Sequence, residues 1–462
     1  MAALRARLGA RTTVDRRTFL ASLGVTVSAV TLGDVTAPAA QESPRGRVPE
    51  TPVKFGHITI LSGPGAVLGA PSLKGHTLAS EEINAAGGLL GRRRIETITA
   101  DEAAGPDASV KEVKRMKLVE KIDFFSGIIA ANNQLAVGPV VEELKLLTIM
   151  TEGCIDRLFE VEVPNPHYLF GMTNILSADG VTTAMAVART WPEAQRIAVI
   201  HPDYAFGRWF QLHFEAARQK LMPKAQIVSE AWAPLGTTEF TSHITKTGAA
   251  KPDLIVTSMW GGMYIAFYKQ ALQHGLFTKA KLAGNINFGV VPHAIGKDHP
   301  EGALAGVHSN YHFTYPAPAR SALNKQFVER YHQRWKEYPN YIAEAAYTGL
   351  HLFKAAVEKA NKAGGGWPDD DAISKALEGL SLSAPSGTVT IRKEDHRAFK
   401  DVKVGFSKNL PDYPFPVWDP ERIITVPVQA MTAPPTWPKP GKGHDDPSAT
   451  VNWIKTTWPT SS

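Results

Sequence analysis

The side chains best suited to holding a small molecule stand in short loops, each next to an apolar run. Ser62 opens the stretch from Ser62 to Ala70, which includes Leu68. Ala130, Ala131, Asn132 and Asn133 follow the run Asp123 to Ile128, and Thr151, Glu152, Gly153 and Cys154 follow Leu146 to Met150. Asp203, Tyr204 and Phe206 come after Arg196 to Ile200, Trp260 stands between Leu254–Ser258 and Gly261-Gly262, and Asn285 and Asn287 close the run from Lys281. These types offer recognition: amide and hydroxyl donors, a carboxylate acceptor and flat aromatic surfaces, with exposed N–H groups wherever a helix begins at the loop. Asp203 reads equally as a helix cap. Bond-making chemistry has no comparable support. The chain carries no HExxH, no His-Asp-Ser set, no nucleophile elbow, no phosphate loop and no dinucleotide fingerprint. His308 and His312 flank Tyr311 in a strand-like run, where they share a face but lie too far apart to hold one metal ion. Cys154 is the single cysteine, which excludes an intramolecular disulfide and a cysteine-based metal site. No cofactor or metal is expected.

A repeated strand-helix alternation must position these loops. Phe55, His57, Thr59 and Leu61 alternate with Gly56, Ile58 and Ile60, which reads as a strand. Ser62-Gly63-Pro64-Gly65 ends it. A helix from about Ser72 stops at Ala86-Gly87-Gly88, where glycine supplies the left-handed backbone of a helix end, and a second strand runs Ile95 to Thr99. Such a βαβ unit is right-handed, and the loop after its first strand lies where open α/β sheets place ligands. Helices at Ala108–Glu120 and Gln134–Glu143 alternate with the strands at Asp123 and Leu146. From Asp179 the rhythm repeats at domain scale, through helices Arg208–Leu221, Phe240–Ala249 and Met263–His274. The fold class expected is α/β, with two doubly wound parallel sheets. Past Gly306 come helices Ala319–Lys336 and Ala343–Lys362, the break Gly364-Gly365-Gly366, a short helix Asp371–Leu380, and Gly387–Ile391 with Val402–Phe406 as a terminal hairpin. Beyond about Asp412, prolines and Trp418, Trp437, Trp453 and Trp458 accumulate. Proline removes ladder donors, so residues 411–462 read as a tail rather than a third sheet domain. The tail either wraps over the globule with its Trp rings buried or docks a partner.

The ends and the composition bound the class. Of 462 residues, 44% are hydrophobic and 20% charged, with a net charge of +6. That is ordinary globular composition, and without lysine or arginine clusters interleaved with aromatics it gives no nucleic-acid footprint. Asp15-Arg16-Arg17-Thr18-Phe19-Leu20, the apolar run Ala21 to Leu32, and Ala37, Ala39 and Ala40 have the layout of a secretory signal over residues 1–40. The paired arginines resemble a twin-arginine signal, with Asp15 where Ser or Thr is usual. The apolar run is about 12 residues against roughly 20 needed to span a bilayer, so cleavage is expected rather than anchoring.

SGPGAVLGAPSLKGHTLASEEINAAGGLLGRRRIETITAD resembles the opening of the branched-chain amino-acid-type substrate-binding proteins of ABC importers. Ser62-Gly63-Pro64, Gly69, Gly75, Glu82-Ile83-Asn84, Gly87-Gly88, Gly91 and Asp101 carry the resemblance, which continues through GIIAANNQLAVGPVVEE, RIAVIHPDYAFG and ALQHGL and covers about Val53 to Phe406. It implies a type I periplasmic binding fold: two lobes joined by three crossings, with a ligand in the cleft and a hinge that closes on it. The first lobe would take residues 51–172 and 307–380, the second 173–306 and 381–410. In that family, donors at the positions of Asn132 and Asn133 and a group near Cys154 bind the ligand carboxylate, and an acid near Asn285 and Asn287 binds its ammonium. Here Glu152 would repel an anion, and the ammonium-binding acid is missing. The resemblance implies export to the periplasm and delivery of a small ligand to an ABC permease in the inner membrane; with these positions altered, an amino acid, an amide, a urea-like, an aromatic or another small carboxylic compound all stay open. A sensing module of the same fold and an exported α/β enzyme are the alternatives.

Overall fold

In the computed structural model of the protein, residues 46–152, 155–173, 175–284, 290–306, 321–440 and 448–458 are described; the signal segment, His308, Tyr311 and His312 lie outside them. Val53 to Thr59 is buried on both faces, apart from Lys54, so it can only be an interior strand. It is β1 (Val53–Thr59), followed by α1 (Ala66–Ala85), β2 (Ile95–Asp101), α2 (Pro106–Arg115), β3 (Phe124–Gly127), α3 (Ala131–Glu143), β4 (Thr148–Met150) and β5 (Leu169–Gly171). The sheet order is β2-β1-β3-β4-β5, and every pairing is parallel.

Two helices begin earlier than periodicity places them. Helix α1 starts at Ala66, not near Ser72, and tolerates Pro71 inside it. It runs tight against the end of β1: a Cβ on Gly69 would lie 1.6 Å from the Ile60 carbonyl oxygen. The wall expected as a loop from Ser62 to Ala70 is therefore a short turn and the start of a helix. Helix α3 starts at Ala131, so Asn132 and Asn133 belong to its first turn rather than to a loop.

The second lobe repeats the plan. It comprises α4 (Leu176–Thr190), β6 (Arg196–Pro202), α5 (Ala205–Leu221), β7 (Gln226–Ala233), α6 (Thr241–Ala249), β8 (Leu254–Thr257), α7 (Gly261–Gln273), β9 (Lys281–Gly284), α8 (Val291–Ile295) and β10 (Leu304–Ala305). Its parallel strands run β7-β6-β8-β9-β10, the same order as in the first sheet. The chain then returns through α9 (Ala322–Trp335), α10 (Tyr341–Gly364) and α11 (Asp370–Leu377), whose Phe327, Tyr347, Phe353 and Ile373 share one core with Phe55 and Phe124 of the first lobe.

The expected terminal hairpin does not form. Strands β11 (Ser381–Ala384), β12 (Gly387–Ile391) and β13 (Ala398–Phe399) make a small sheet of their own, and Val389, Ile391 and Ala398 pack into the first lobe's core. Strand β14 (Val402–Lys408) instead joins the second sheet, antiparallel to β10. The lobes are thus connected three times: between β5 and α4, between β10 and α9, and between β13 and β14. The tail supplies the outermost strand, β15 (Val417–Val426), antiparallel to β14. An edge position tolerates Pro420, and the register shifts there between Gly405 and Ser407. Trp418 is fully buried over Gly405, where a Cβ would meet the indole at 2.6 Å. Helices α12 (Val428–Met431) and α13 (Ala449–Thr456) then lay Met431 and Trp453 onto the second lobe's core beside Phe210 and Phe214, joined by Trp458 just past the end of α13. Among the described residues, no helix is long and apolar enough to cross a membrane.

Candidate functional site

In each sheet the strand order reverses between the first and third strands, β1/β3 in one lobe and β6/β8 in the other. A crevice opens there, beyond the carboxyl ends of the strands. The two crevices face each other and enclose one cavity of about 300 Å³. From the first lobe, Ile60 and Ser62 to Gly65 line it after β1, Glu102, Ala103, Gly105 and Pro106 after β2, and Ala130, Asn132 and Asn133 after β3. From the second, Tyr204 lines it after β6, Leu235 and Gly236 after β7, and Trp260, Gly262 and Met263 after β8. Under each crevice a buried histidine ties the first strand to the third. His57 Nδ1 lies 2.9 Å from Ser126 Oγ, and His201 Nδ1 lies 2.8 Å from Ser258 Oγ. Burial pushes these imidazoles down to about 4 and about 3, so both are neutral at pH 7.

The lobes touch across the cleft mouth. The Gly262 N–H donates to the Pro64 carbonyl at 3.0 Å. A Cβ on Gly262 would stand 2.8 Å from that oxygen, and Gly261 takes φ of +54°, which glycine adopts at no steric cost. Closure at this point therefore requires Gly262 to lack a side chain.

Polar groups in the first lobe are already engaged. Ser62 donates to Asp101 Oδ2 at 2.5 Å, and Leu61 N–H to Asp101 Oδ1 at 2.8 Å. Partial burial works upward on Asp101, but the hydrogen bond from Ser62 and those from backbone N–H groups hold its carboxyl below the ordinary value. Glu102, the next residue, points inward and is 1% exposed. Its Oε1 accepts from Ile129 N–H at 2.6 Å; its Oε2 accepts from Ala130 N–H at 3.1 Å and from the Asn133 amide at 2.8 Å. Burial is the largest influence and pushes this carboxyl up to about 7, against the pull of those three donors.

Aromatic rings face these acids. Tyr204 and Trp260 stand 6.4 Å apart, tilted at 55°. Burial, helped by the charges of Glu102 and Glu152, pushes the Tyr204 hydroxyl well up, while the nearby Trp260 indole opposes this. The Trp260 indole N–H has no acceptor of good geometry among the described residues. Behind this corner, the Tyr341 hydroxyl donates to Glu152 Oε1 at 3.1 Å, and the Gln134 amide donates to the Glu152 carbonyl at 3.3 Å.

Ser62, Ala130, Asn132, Asn133, Tyr204 and Trp260 thus converge on one cavity. Leu68 and Ala131 are buried behind its wall, Leu68 in the apolar group against which Trp260 packs. Glu152 is buried one layer deeper. Asp203 neither lines the cavity nor caps α5; its Oδ1 pairs with Arg208 at 2.7 Å, and that guanidinium lies 3.7 Å over Trp232. Tyr204 holds the cap position, so Asp203 sits one residue too early to cap. Gly153, Cys154, Asn285 and Asn287 lie outside the described residues. Sequence reasoning missed Glu102, Leu235 and Met263. The signal for the first two was available, since loops after the second strand of each sheet end at the same crevice.

A family model described as periplasmic binding protein matches residues 52–407. The chain belongs to the periplasmic binding protein family. A Leu/Ile/Val-binding protein homologue from Brucella abortus is 24% identical over 356 residues, covering 75% of this chain and 82% of the relative. A solute-binding protein of an ABC transporter from Rhodopseudomonas palustris, solved with 3,4-dihydroxybenzoic acid, superposes with a TM-score of 0.70 at 21% identity, over 82% of this chain and 98% of that one. A branched-chain amino acid transporter substrate-binding protein from Streptococcus pneumoniae, solved with isoleucine, gives 0.65 at 18% identity, over 82% and 99%. This periplasmic binding protein therefore has the type I two-lobe fold of the branched-chain amino-acid group, whose members are solute-binding proteins and not enzymes.

Proposed function

We propose that the protein is exported by its twin-arginine-like leader, captures a small ligand between its lobes, and delivers it to an ABC permease in the inner membrane. One observation carries the reading: strand-end loops from both lobes enclose a single cavity whose mouth is latched by Gly262 and Pro64. A ligand touching both walls stabilises the closed form, and a population shift toward that form is what a permease can recognise. The cavity offers two aromatic rings, two side-chain amides and one buried carboxylate, which fits an amide, urea-like, aromatic or amino-acid compound. Thermal-shift screening of the mature chain against those classes tests capture; no stabilisation by any of them overturns it. Loss of uptake of the identified ligand on gene deletion tests delivery, and undiminished uptake refutes it. Substitution of Arg16 and Arg17 by Lys tests export, which fails if the variant still leaves the cytoplasm normally.

A further inference from the structure

Both relatives solved with a ligand named above hold carboxylic acids, a dihydroxybenzoic acid and isoleucine. In this chain the corner at the start of α3 already holds a carboxylate of its own. Glu102 takes the Ile129 and Ala130 N–H groups and the Asn133 side-chain amide, and Asp101 takes the Ser62 hydroxyl. The described lining of the cavity contains no Lys, Arg or His to neutralise a second anion. A ligand carboxylate would lie against a buried carboxylate with no cation to offset the repulsion.

The same corner suits a neutral amide on both of its sides. The backbone N–H groups of Asn132 and Asn133, both in the cavity lining and in the first turn of a helix of 13 residues, have no acceptor among the described residues. They can donate to a ligand carbonyl oxygen. A carboxylate has about four lone-pair sites, and Glu102 uses three on the chain's own donors. The remaining one can accept from a ligand N–H. Tyr204 and Trp260 then cover the apolar part of the ligand from the opposite lobe.

We propose that Glu102 selects the ligand's head group: its carboxylate at the start of α3 repels a ligand carboxylate and admits a neutral carboxamide or urea head carrying an apolar body. This rests on the cleft being the ligand site. The test is calorimetric titration of the mature chain and of Glu102→Gln with two matched pairs, benzamide against benzoate and 4-hydroxybenzamide against 4-hydroxybenzoate, above about pH 8 where the carboxyl is ionised. Wild type should bind each amide at least about tenfold tighter than its acid, and Glu102→Gln should bring the acid within about threefold of the amide. Glu102→Asp keeps the charge and should keep the wild-type order, which preserves the test if the Gln variant folds poorly. Equal or tighter binding of the acids by wild type, or an unchanged ratio in Glu102→Gln, overturns the role of Glu102 and leaves the solute-binding reading intact. If none of the proteins binds any member of either pair, the reading of the cleft as a site for these compounds fails, and this proposal fails with it.

Discussion

Replacing Glu102 by Gln removes a charge from the cleft floor and keeps the side chain's shape, so its effect on stability can be worked out without any ligand. In the folded chain the carboxyl is pushed up to about 7 from its ordinary 4.5, first by burial, with hydrogen bonds from Ile129, Asn133 and Ala130 acting the other way. Between those two values the folded state binds more protons than the unfolded one, so stability falls as pH rises. The loss begins above the unfolded value and is complete once pH has passed the folded one. A shift of roughly two and a half units at about 1.4 kcal/mol each comes to about 3 kcal/mol. Solvent screening removes little of this, because the side chain is 1% exposed. For a chain of this size, unfolding entropy is roughly 0.9 kcal/mol per kelvin, so the difference corresponds to about 3 °C in Tm. The assay is scanning calorimetry of wild type and Glu102→Gln at about pH 5 and about pH 8, reading the difference between the two proteins at each pH. Comparison at fixed pH cancels other groups, such as Glu160, which burial also pushes up to about 7. The variant should gain about 3 °C on wild type between the two conditions. Parallel curves would refute the reasoning, because they would mean that the three donors fully compensate the buried charge.

Three other perturbations separate closure, aromatic contact and the tail. Gly262→Val places carbon where the Pro64 carbonyl now sits 2.8 Å from the ideal Cβ position; it should weaken binding of any captured ligand by about thirtyfold or more and leave Tm of the ligand-free protein within about 1 °C. Unchanged affinity would show that closure does not pass through this contact. Trp260→Ala should cost an aromatic probe about three- to tenfold in affinity, measured by titration, since a ring pair contributes about 0.5–1.5 kcal/mol beyond its area. Trp453 is 6% exposed in the second lobe's core, so Trp453→Ala should cost about 3–5 kcal/mol and a comparable number of degrees in Tm. A Tm equal to wild type would mean that the tail's rings serve something other than the lobe they cover.

Much of this was legible in the sequence because it depends on local periodicity. Alternating runs bounded by Gly, Pro and Asn place β1, β3, β6 and β8, and the rule that ligands sit beyond the carboxyl ends of parallel strands singles out Ser62, Ala130, Asn132, Tyr204 and Trp260. Helix starts were less legible. Pro71 and the glycines before it read as a loop, yet the segment is helical and packs so closely on the end of β1 that Gly69 leaves no room for a Cβ beside Ile60. The partners of β12, β14 and β15 were not legible either: a short strand carries no local mark of which sheet it will join, and Pro420 argues against a strand until the edge position of β15 is known.

The chain by itself determined that there are two α/β halves and which loops stand at the carboxyl ends of their strands, since residue type and spacing alone decide these points. Only the tertiary structure decided which charges meet. Glu102 reads in the sequence as one more acid at the end of a strand. Folding brings it to Ile129, Ala130 and Asn133, residues far along the chain, and buries it with them. Asp203, marked by its loop, is instead drawn to Arg208 and away from the cavity. Charge acts through distance and burial, and neither exists until the strands have stacked.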